Sequence, residues 1–279
     1  VITDRLLEKG QKLRLIARDG SKLKKFVDKG AEAQTGSLDD VNFLTKAFSG
    51  ATAVFAMIPA NFTVKNLAEH YDHFGEAITK ALQNSGASRI LHLSSVGAEH
   101  PSGTGPITGL HRQEQRLNKL SANVLHLRPT YFMENLLGNI PIIKNMGING
   151  ASFRADLKIP MIATRDIGED GANCLLNWNV NGKTERLLLG QRDLTMSEVT
   201  TILGKAIGKS DLKYVQFGYE DAEKGMIGAG ISPDLAKNFI EMTKAFNDGV
   251  IRFERTKENT TPTPIEEFAK VFSTIYQSQ

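Results

Sequence analysis

Ala53-Val54-Phe55-Ala56-Met57-Ile58, closed by Pro59, is a continuous apolar run ended by a breaker. A run of that length suits a strand buried on both faces of a parallel sheet. Downstream, Val64 to Asn84 reads as a helix with Leu67, Tyr71, Phe74, Ile78 and Leu82 as its inner stripe. Arg89 to Ser94 (RILHLS) is strand-like, Leu110 to Leu120 helical, and Asn123 to Leu127 (NVLHL) a strand running into Arg128-Pro129. Upstream, Asp39 to Phe48 is a helix with Val41, Leu44 and Phe48 on one face and Gly50 as its stop. Before it come a strand over Ala31 to Thr35, a short lysine-rich helix, an alternating strand over Lys12 to Ala17, and a helix over Val1 to Lys9 stopped by Gly10. Strand, helix and strand at this spacing imply right-handed crossovers and an α/β, doubly wound parallel sheet covered on both faces.

After Asn135 the rhythm changes. Residues 136–182 are rich in Gly, Asn and Ile, with one helix expected over Asp166 to Leu176. Thr184 to Leu189 (TERLLL) reads as a strand that returns to the sheet, and Thr195 to Ile207 as a helix with Thr195 or Ser197 as N-cap. From Asp211 onward the pattern is helical pieces joined by Gly- and Pro-containing loops. Gly225-Met226-Ile227-Gly228-Ala229-Gly230 looks like a glycine fingerprint, but it follows a charged helix-like segment rather than a strand and reads as a flexible loop. The expected division is a core over residues 1–135 and a C-terminal substrate lobe over residues 136–279, with 184–189 contributed back to the core sheet.

Composition narrows the classes. With 41% hydrophobic and 23% charged residues in 279, the chain can bury a core without disulfides or structural metal. The one cysteine, Cys174, excludes an intrachain disulfide and argues against a Cys-based zinc site. The net charge of +3 is spread out, and its densest cluster, Lys22, Lys24, Lys25 and Lys29, occupies one short amphipathic stretch, so no nucleic-acid partner is expected. No apolar run approaches the ~20 residues of a membrane span, so no membrane partner is expected and the reading is cytoplasmic. His70 and His73 flank Asp72 without the spacing of a paired-histidine metal site, and no metal is expected.

The first recognisable elements are a helix and then a strand ending in Ala17-Arg18-Asp19. In a dinucleotide fold of the Rossmann type, a first strand, a glycine-rich turn and a helix N-terminus together hold the pyrophosphate. If the helix and strand here are the first helix and second strand, the first strand and its glycine loop lie upstream of Val1. Without that loop, the chain is expected to bind NADPH weakly or not at all. The alternative is a sheet that begins differently.

Arg18 follows the second strand of such a fold, where an acidic residue would accept from the ribose of NAD and an Arg accommodates the 2′-phosphate of NADP. With Lys22 one turn on, it offers a charge-assisted fork for phosphate, so NADP is expected ahead of NAD. Adjacent Asp19 could redirect Arg18, and two solvated surface charges are the competing reading. Ser94 and Ser95 close a strand at the edge where parallel sheets bind ligands. The Tyr-x-x-x-Lys pair of short-chain dehydrogenases is absent from the next helix, which carries Leu110-His111-Arg112-Gln113-Glu114 instead. His111 and Glu114, at i and i+3, are placed to share a proton or a hydrogen bond, with His111 as acid. The alternative is a structural contact or two surface residues. His92, inside a strand, reads as a satisfied core histidine.

Leu127-Arg128-Pro129-Thr130-Tyr131-Phe132-Met133-Glu134-Asn135 resembles the strand-to-loop signature of the NmrA-like group of atypical short-chain dehydrogenase/reductases. Leu93-Ser94-Ser95-Val96-Gly97-Ala98, the segment His111 to Leu117 (HRQEQRL), Gly36-Ser37-Leu38-Asp39, Arg165-Asp166-Ile167-Gly168 and the run Thr261 to Phe268 (TPTPIEEF) also fit, so the likeness spans the chain. The resemblance implies an NAD(P)-binding core with a small lobe over the nicotinamide end. It also implies that Arg18 holds the 2′-phosphate, Leu38 touches the adenine, Met57, Ile58 and Pro59 line the cofactor groove, and Pro129, Tyr131 and Phe132 shape the nicotinamide pocket. Two departures are Ser37, where relatives often have Asp, and Leu110-His111, where they often have Lys.

Two functions from different classes follow. One is an NAD(P)H-dependent oxidoreductase passing a hydride to a quinone-like or other small electron-poor acceptor, which needs mainly alignment because the cofactor carries the chemistry. Its catalytic residues would be His111 and Ser95. The other is a non-catalytic redox sensor that binds NAD(P) and acts through a protein partner. A sugar-nucleotide epimerase or dehydratase is a third and weaker reading, since it needs the missing Tyr and Lys.

Overall fold

In the computed structural model, which describes residues 1–279, the first half of the chain alternates helix and parallel strand. The elements are α1 (Ile2–Glu8), β1 (Arg14–Ala17), α2 (Lys24–Val27), β2 (Glu32–Thr35), α3 (Val41–Phe48), β3 (Val54–Ala56), α4 (Leu67–Ser85), β4 (Arg89–Leu93), α5 (Pro106–Asn118) and β5 (Asn123–Pro129). Local chemistry sets their ends. The Asp40 carboxylate accepts from the Asn42 and Phe43 amides to start α3, and Asn66 accepts from the Glu69 amide to start α4. Gly86, at φ 69°, ends α4 in the left-handed conformation that costs a residue without Cβ nothing. Of the apolar run that marks the fold, Val54–Ala56 pair in the sheet, while Met57, Ile58 and Pro59 leave it at its carboxyl edge.

The second half adds β6 (Tyr131–Phe132), α6 (Ile140–Met146), β7 (Ile148–Ala151), β8 (Ile159–Ile162), α7 (Thr164–Leu176), β9 (Lys183–Leu188), β10 (Asp193–Leu194), α8 (Met196–Ala206), β11 (Lys213–Gln216), α9 (Tyr219–Gly228), α10 (Pro233–Asn247) and α11 (Ile265–Ser278). β9 pairs in parallel with β5, so the main sheet runs β3-β4-β5-β9, all parallel. β1 and β2 form a separate parallel pair. Side-chain alternation divides the main sheet's two faces. Ile90 and Val124 pack with Leu44, Ile78, Leu82 and Leu117 from α3, α4 and α5, whereas Leu91, Leu125 and Leu127 pack with Ile167 of α7. The remaining elements enclose a second core that includes Ile140, Ile143, Phe153, Val199 and Phe272.

Three segments differ from the sequence reading. Residues 136–182 hold α6, β7 and β8 ahead of α7, because their four-residue strands draw partners from far along the chain: β7 pairs with β11, and β8 with β6 and β10. β11 itself lies in a stretch read as helical pieces and loops. Gly225 to Gly228 is the last turn of α9 rather than a loop. Glycine costs a helix about 1 kcal/mol per residue, a penalty that tertiary packing overrides, and α9 packs along α10.

The C-terminal helices meet α5 at close quarters. Gly105 precedes α5 at φ 58°, and a Cβ there would stand 2.0 Å from the Asn238 carbonyl oxygen of α10. Gly103, at φ 80°, has open space around it. Gly103→Ala should therefore lose only the backbone term, about 1 kcal/mol, and Gly105→Ala about 2–4 kcal/mol in urea unfolding, since the second also forces α10 off the core. Equal losses would mean that the contact carries no energy.

Candidate active site

Because β3, β4 and β5 are parallel, the residues that follow them emerge at one edge: Met57 to Pro59, Ser94 and Ser95, and Thr130 to Phe132. Met57 is exposed, Ile58 and Pro59 are half-buried, and the Pro59 carbonyl accepts from His70 Nε2 at 2.7 Å. Arg18 follows β1 and is exposed, as is Lys22. Asp19 accepts from the Ser21 amide at 3.0 Å, capping the 3-10 turn Gly20–Leu23. That hydrogen bonding to Ser21 holds the Asp19 carboxyl below its ordinary pKa. Leu38 is half-buried against the α3–α4 core.

Pro129 ends β5 and is buried, and the two residues beyond Thr130 form β6, paired with Met161 and Ile162. Tyr131 and Phe132 therefore point to opposite sides. Tyr131 packs edge-on to Phe153 with centroids 5.6 Å apart, and burial pushes its phenol up to about 12. Phe132 joins the α7 side of the sheet.

The expected hydrogen bond between His111 and Glu114 is not formed. His111 is half-buried, and its Nδ1 donates to the Ala98 carbonyl at 2.8 Å. Glu114 points into the sheet and is 2% exposed. There Ser94 Oγ donates to it at 2.5 Å, and Arg128 grips it as a two-pronged fork, Nε at 3.0 Å and Nη2 at 2.6 Å. Arg128 Nη1 reaches Glu99 Oε2 at 3.3 Å. Burial opposes the charge on Arg128, but Glu114 outweighs it and the guanidinium pKa lies above its usual value. The Ser94 hydroxyl is thus turned inward, and Ser95, half-buried, is the serine beside the crevice. Nothing in the linear pattern singled out Arg128, Glu99 or the inward turn of Ser94. The only signal was an Arg just past one strand and a Glu on the helix that precedes it.

His92 is buried, but it is not satisfied. Its Nδ1 lies 3.0 Å from Nδ1 of His126, whose Nε2 lies 3.0 Å from Asn118 Oδ1. The amide oxygen only accepts, so His126 carries its proton on Nε2, His92 donates from Nδ1, and His92 Nε2 is left without a partner. Burial lowers both pKa values, that of His92 well below 6.5 with help from His126. A groove of about 690 Å³ opens at the opposite, amino-terminal edge of β4 and β5, among residues such as Lys80, Gly86, Arg116 and Ser121, and touches none of the crevice residues. No group of His, Cys, Asp and Glu side chains is arranged to hold a metal, and no helix is long and apolar enough to cross a membrane.

A parallel sheet with helices on both faces and the strand ends brought to one edge defines a Rossmann-type α/β protein. The chain belongs to the NmrA-like family, whose model matches residues 1–269. It is 24% identical over 242 residues to the NAD(P)H azoreductase of Xenophilus azovorans, covering 85% of this chain and 80% of that one. Its fold matches an NADPH-dependent quinone oxidoreductase of Escherichia coli solved with NADPH (TM-score 0.81, 19% identity, 97% of this chain and 94% of that one). It also matches the Citrobacter triphenylmethane reductase complexed with NADP(H) (TM-score 0.78, 16% identity, 100% and 95%).

Two outcomes follow from the buried groups. Glu114→Ala strands Arg128 and should cost about 3–5 kcal/mol in chemical unfolding, while Glu114→Leu with Arg128→Met costs far less, because no charge is left unpaired. The histidine pair makes stability fall in acid. Above about pH 6.5 both folded and unfolded imidazoles are neutral, and below it the unfolded chain takes up a proton that buried His92 does not. Between pH 6.5 and 5 the unfolding free energy should fall by up to about 1.4 kcal/mol per pH unit on account of His92, with a flatter slope in His92→Leu. An unchanged slope in that variant would remove the pair as the cause.

Proposed function

We propose that this protein binds NADPH along the carboxyl edge of its sheet and reduces a small, electron-poor acceptor such as a quinone. The observation that carries the reading is Arg18: exposed, at a β-strand end, and in no ion pair, while Asp19 caps the turn that follows through the Ser21 amide. A ribose-binding acid would favour NAD, whereas a free guanidinium with Lys22 nearby favours a 2′-phosphate. The azoreductase and quinone oxidoreductase among the similar proteins support the class of reaction.

The residues fit the dinucleotide. Arg18 and Lys22 would hold the 2′-phosphate, Leu38 would border the adenine, Met57, Ile58 and Pro59 would line the groove, and Pro129 and Tyr131 would shape the nicotinamide end, with Phe132 behind it on the α7 side of the sheet. Residues 1–135 supply this surface, and residues 136–279 supply the substrate side, with β9 shared. When bound, the cofactor supplies a hydride to the acceptor. Ser95 offers its hydroxyl as a hydrogen bond to the acceptor oxygen. His111, with Nδ1 committed to Ala98, has Nε2 left to carry a proton from solvent to that oxygen. Tyr131, its phenol pushed up to about 12, stays protonated and shapes the pocket without acting as a base.

Calorimetric titration of the protein with NADPH and NADH tests the proposal. Arg18→Ala should weaken NADPH binding about tenfold, the worth of one charge-assisted hydrogen bond, and leave NADH binding unchanged. Absence of binding by either nucleotide would sink the reading. Tight binding without turnover of any quinone would favour the sensor acting through a protein partner.

A further inference from the structure

We infer that Glu114, with Arg128 and Glu99, is a positioning device that fixes the proton of His111 on Nδ1 and leaves Nε2 free for the reaction. The inference rests on the proposed part of His111 as the proton carrier. It begins with the loop between β4 and α5. That loop leaves the sheet at Ser94 and presents the Ala98 carbonyl to His111 Nδ1 at 2.8 Å. A carbonyl oxygen only accepts, so this contact selects one of the two neutral tautomers. Free imidazole favours the other, so the carbonyl must be held in place for the selection to last.

Backbone bonds brace the middle of the loop, with the Val96 amide donating to the Pro129 carbonyl at 3.1 Å and the Ala98 amide to the Ser95 carbonyl at 3.3 Å, and three further contacts fix its ends. At the start of the loop, Ser94 Oγ donates to Glu114 at 2.5 Å, and the Ser94 amide donates to the Leu127 carbonyl at 2.7 Å. Just past Ala98, Glu99 is drawn to Arg128 Nη1 at 3.3 Å. Arg128 is in turn locked by both oxygens of Glu114, which lies less than one helical turn from His111 on α5. One carboxylate therefore anchors both ends of the segment that carries the Ala98 carbonyl, and it does so from the same helix as the imidazole. At 2% exposure Glu114 exchanges none of these partners for water. On the lobe side, Gly97 packs beneath Ile251, so the loop is also held from above.

The readout is the imidazole ¹⁵N spectrum of the full chain at about pH 8, where histidines of ordinary pKa are neutral. His111→Gln assigns the signal among the six histidines. Wild-type protein should show His111 as a single Nδ1–H tautomer. In Glu99→Gln, which alters an exposed side chain, the pattern should shift partway toward the Nε2–H form. In Glu114→Leu/Arg128→Met, which keeps the layer packed without a stranded charge, it should shift the whole way, with far-ultraviolet circular dichroism unchanged. An Nε2–H pattern in the wild type, or a fixed Nδ1–H pattern in the double variant, would overturn the inference. The spectra need neither cofactor nor substrate, so a failure of the proposed part of His111 shows separately, as undiminished turnover in His111→Gln, and a failure of the reductase reading as no turnover in the wild type.

Discussion

A carboxylate cannot stay charged inside a protein without partners, and Glu114 is where this molecule meets that constraint. Its requirement is satisfied by Arg128 from β5 and Ser94 from the end of β4, with α5 providing the carboxylate itself. Three elements are tied at one point just where the two central strands open into the crevice. Hydrophobic packing could bring the same elements together, but it is non-directional. The fork geometry of guanidinium and carboxylate sets the register of helix against sheet and the path of the loop that follows.

The same layer is polar along much of its length. The sheet face under α5 carries His92, Ser94, His126 and Arg128, and α5 answers with Glu114 and Asn118. The opposite face, under α7, is apolar, built on Leu91, Leu125 and Leu127. An apolar face tolerates small shifts of its covering helix, whereas a chain of buried hydrogen bonds does not, because each displaced partner is left unsatisfied in a low dielectric. The side of the sheet that carries the proposed proton carrier is therefore the rigid one. The lobe helix α10 closes on that side through Gly105 and through Asp234, whose carboxylate accepts from the Leu67 amide at the start of α4.

Much of the core fold was legible before any coordinates. The run from Ala53 to Ile58, the stripe from Leu67 to Leu82, and the strands around Ile90 and Val124 are local signals: apolar residues at a strand's or a helix's own period, ended by Gly or Pro. Thr195 makes a full capping box with Glu198, and the N-cap was visible in the letters alone. The lobe was harder to read. β7, β8 and β11 are four residues each and are strands only because distant partners pair with them, and α9 keeps its glycines in a helix by packing on α10.

At the site the division is sharper. The sequence by itself put Arg18 and Ser95 at strand ends, because parallel strands of known period must deliver their carboxyl ends to one edge, while Met57 to Pro59 and Tyr131 were marked only by the family resemblance. It also placed His111 on the helix that follows β4. Only the tertiary structure decided the partners. Spacing on a helix paired His111 with Glu114, yet the two point different ways, since one meets a loop carbonyl and the other an arginine from a strand that follows in the chain. Neighbours along the chain follow from helix geometry. Which of them is buried, and against what charge, depends on energies of desolvation and pairing that exist only once the helix has been laid on the sheet.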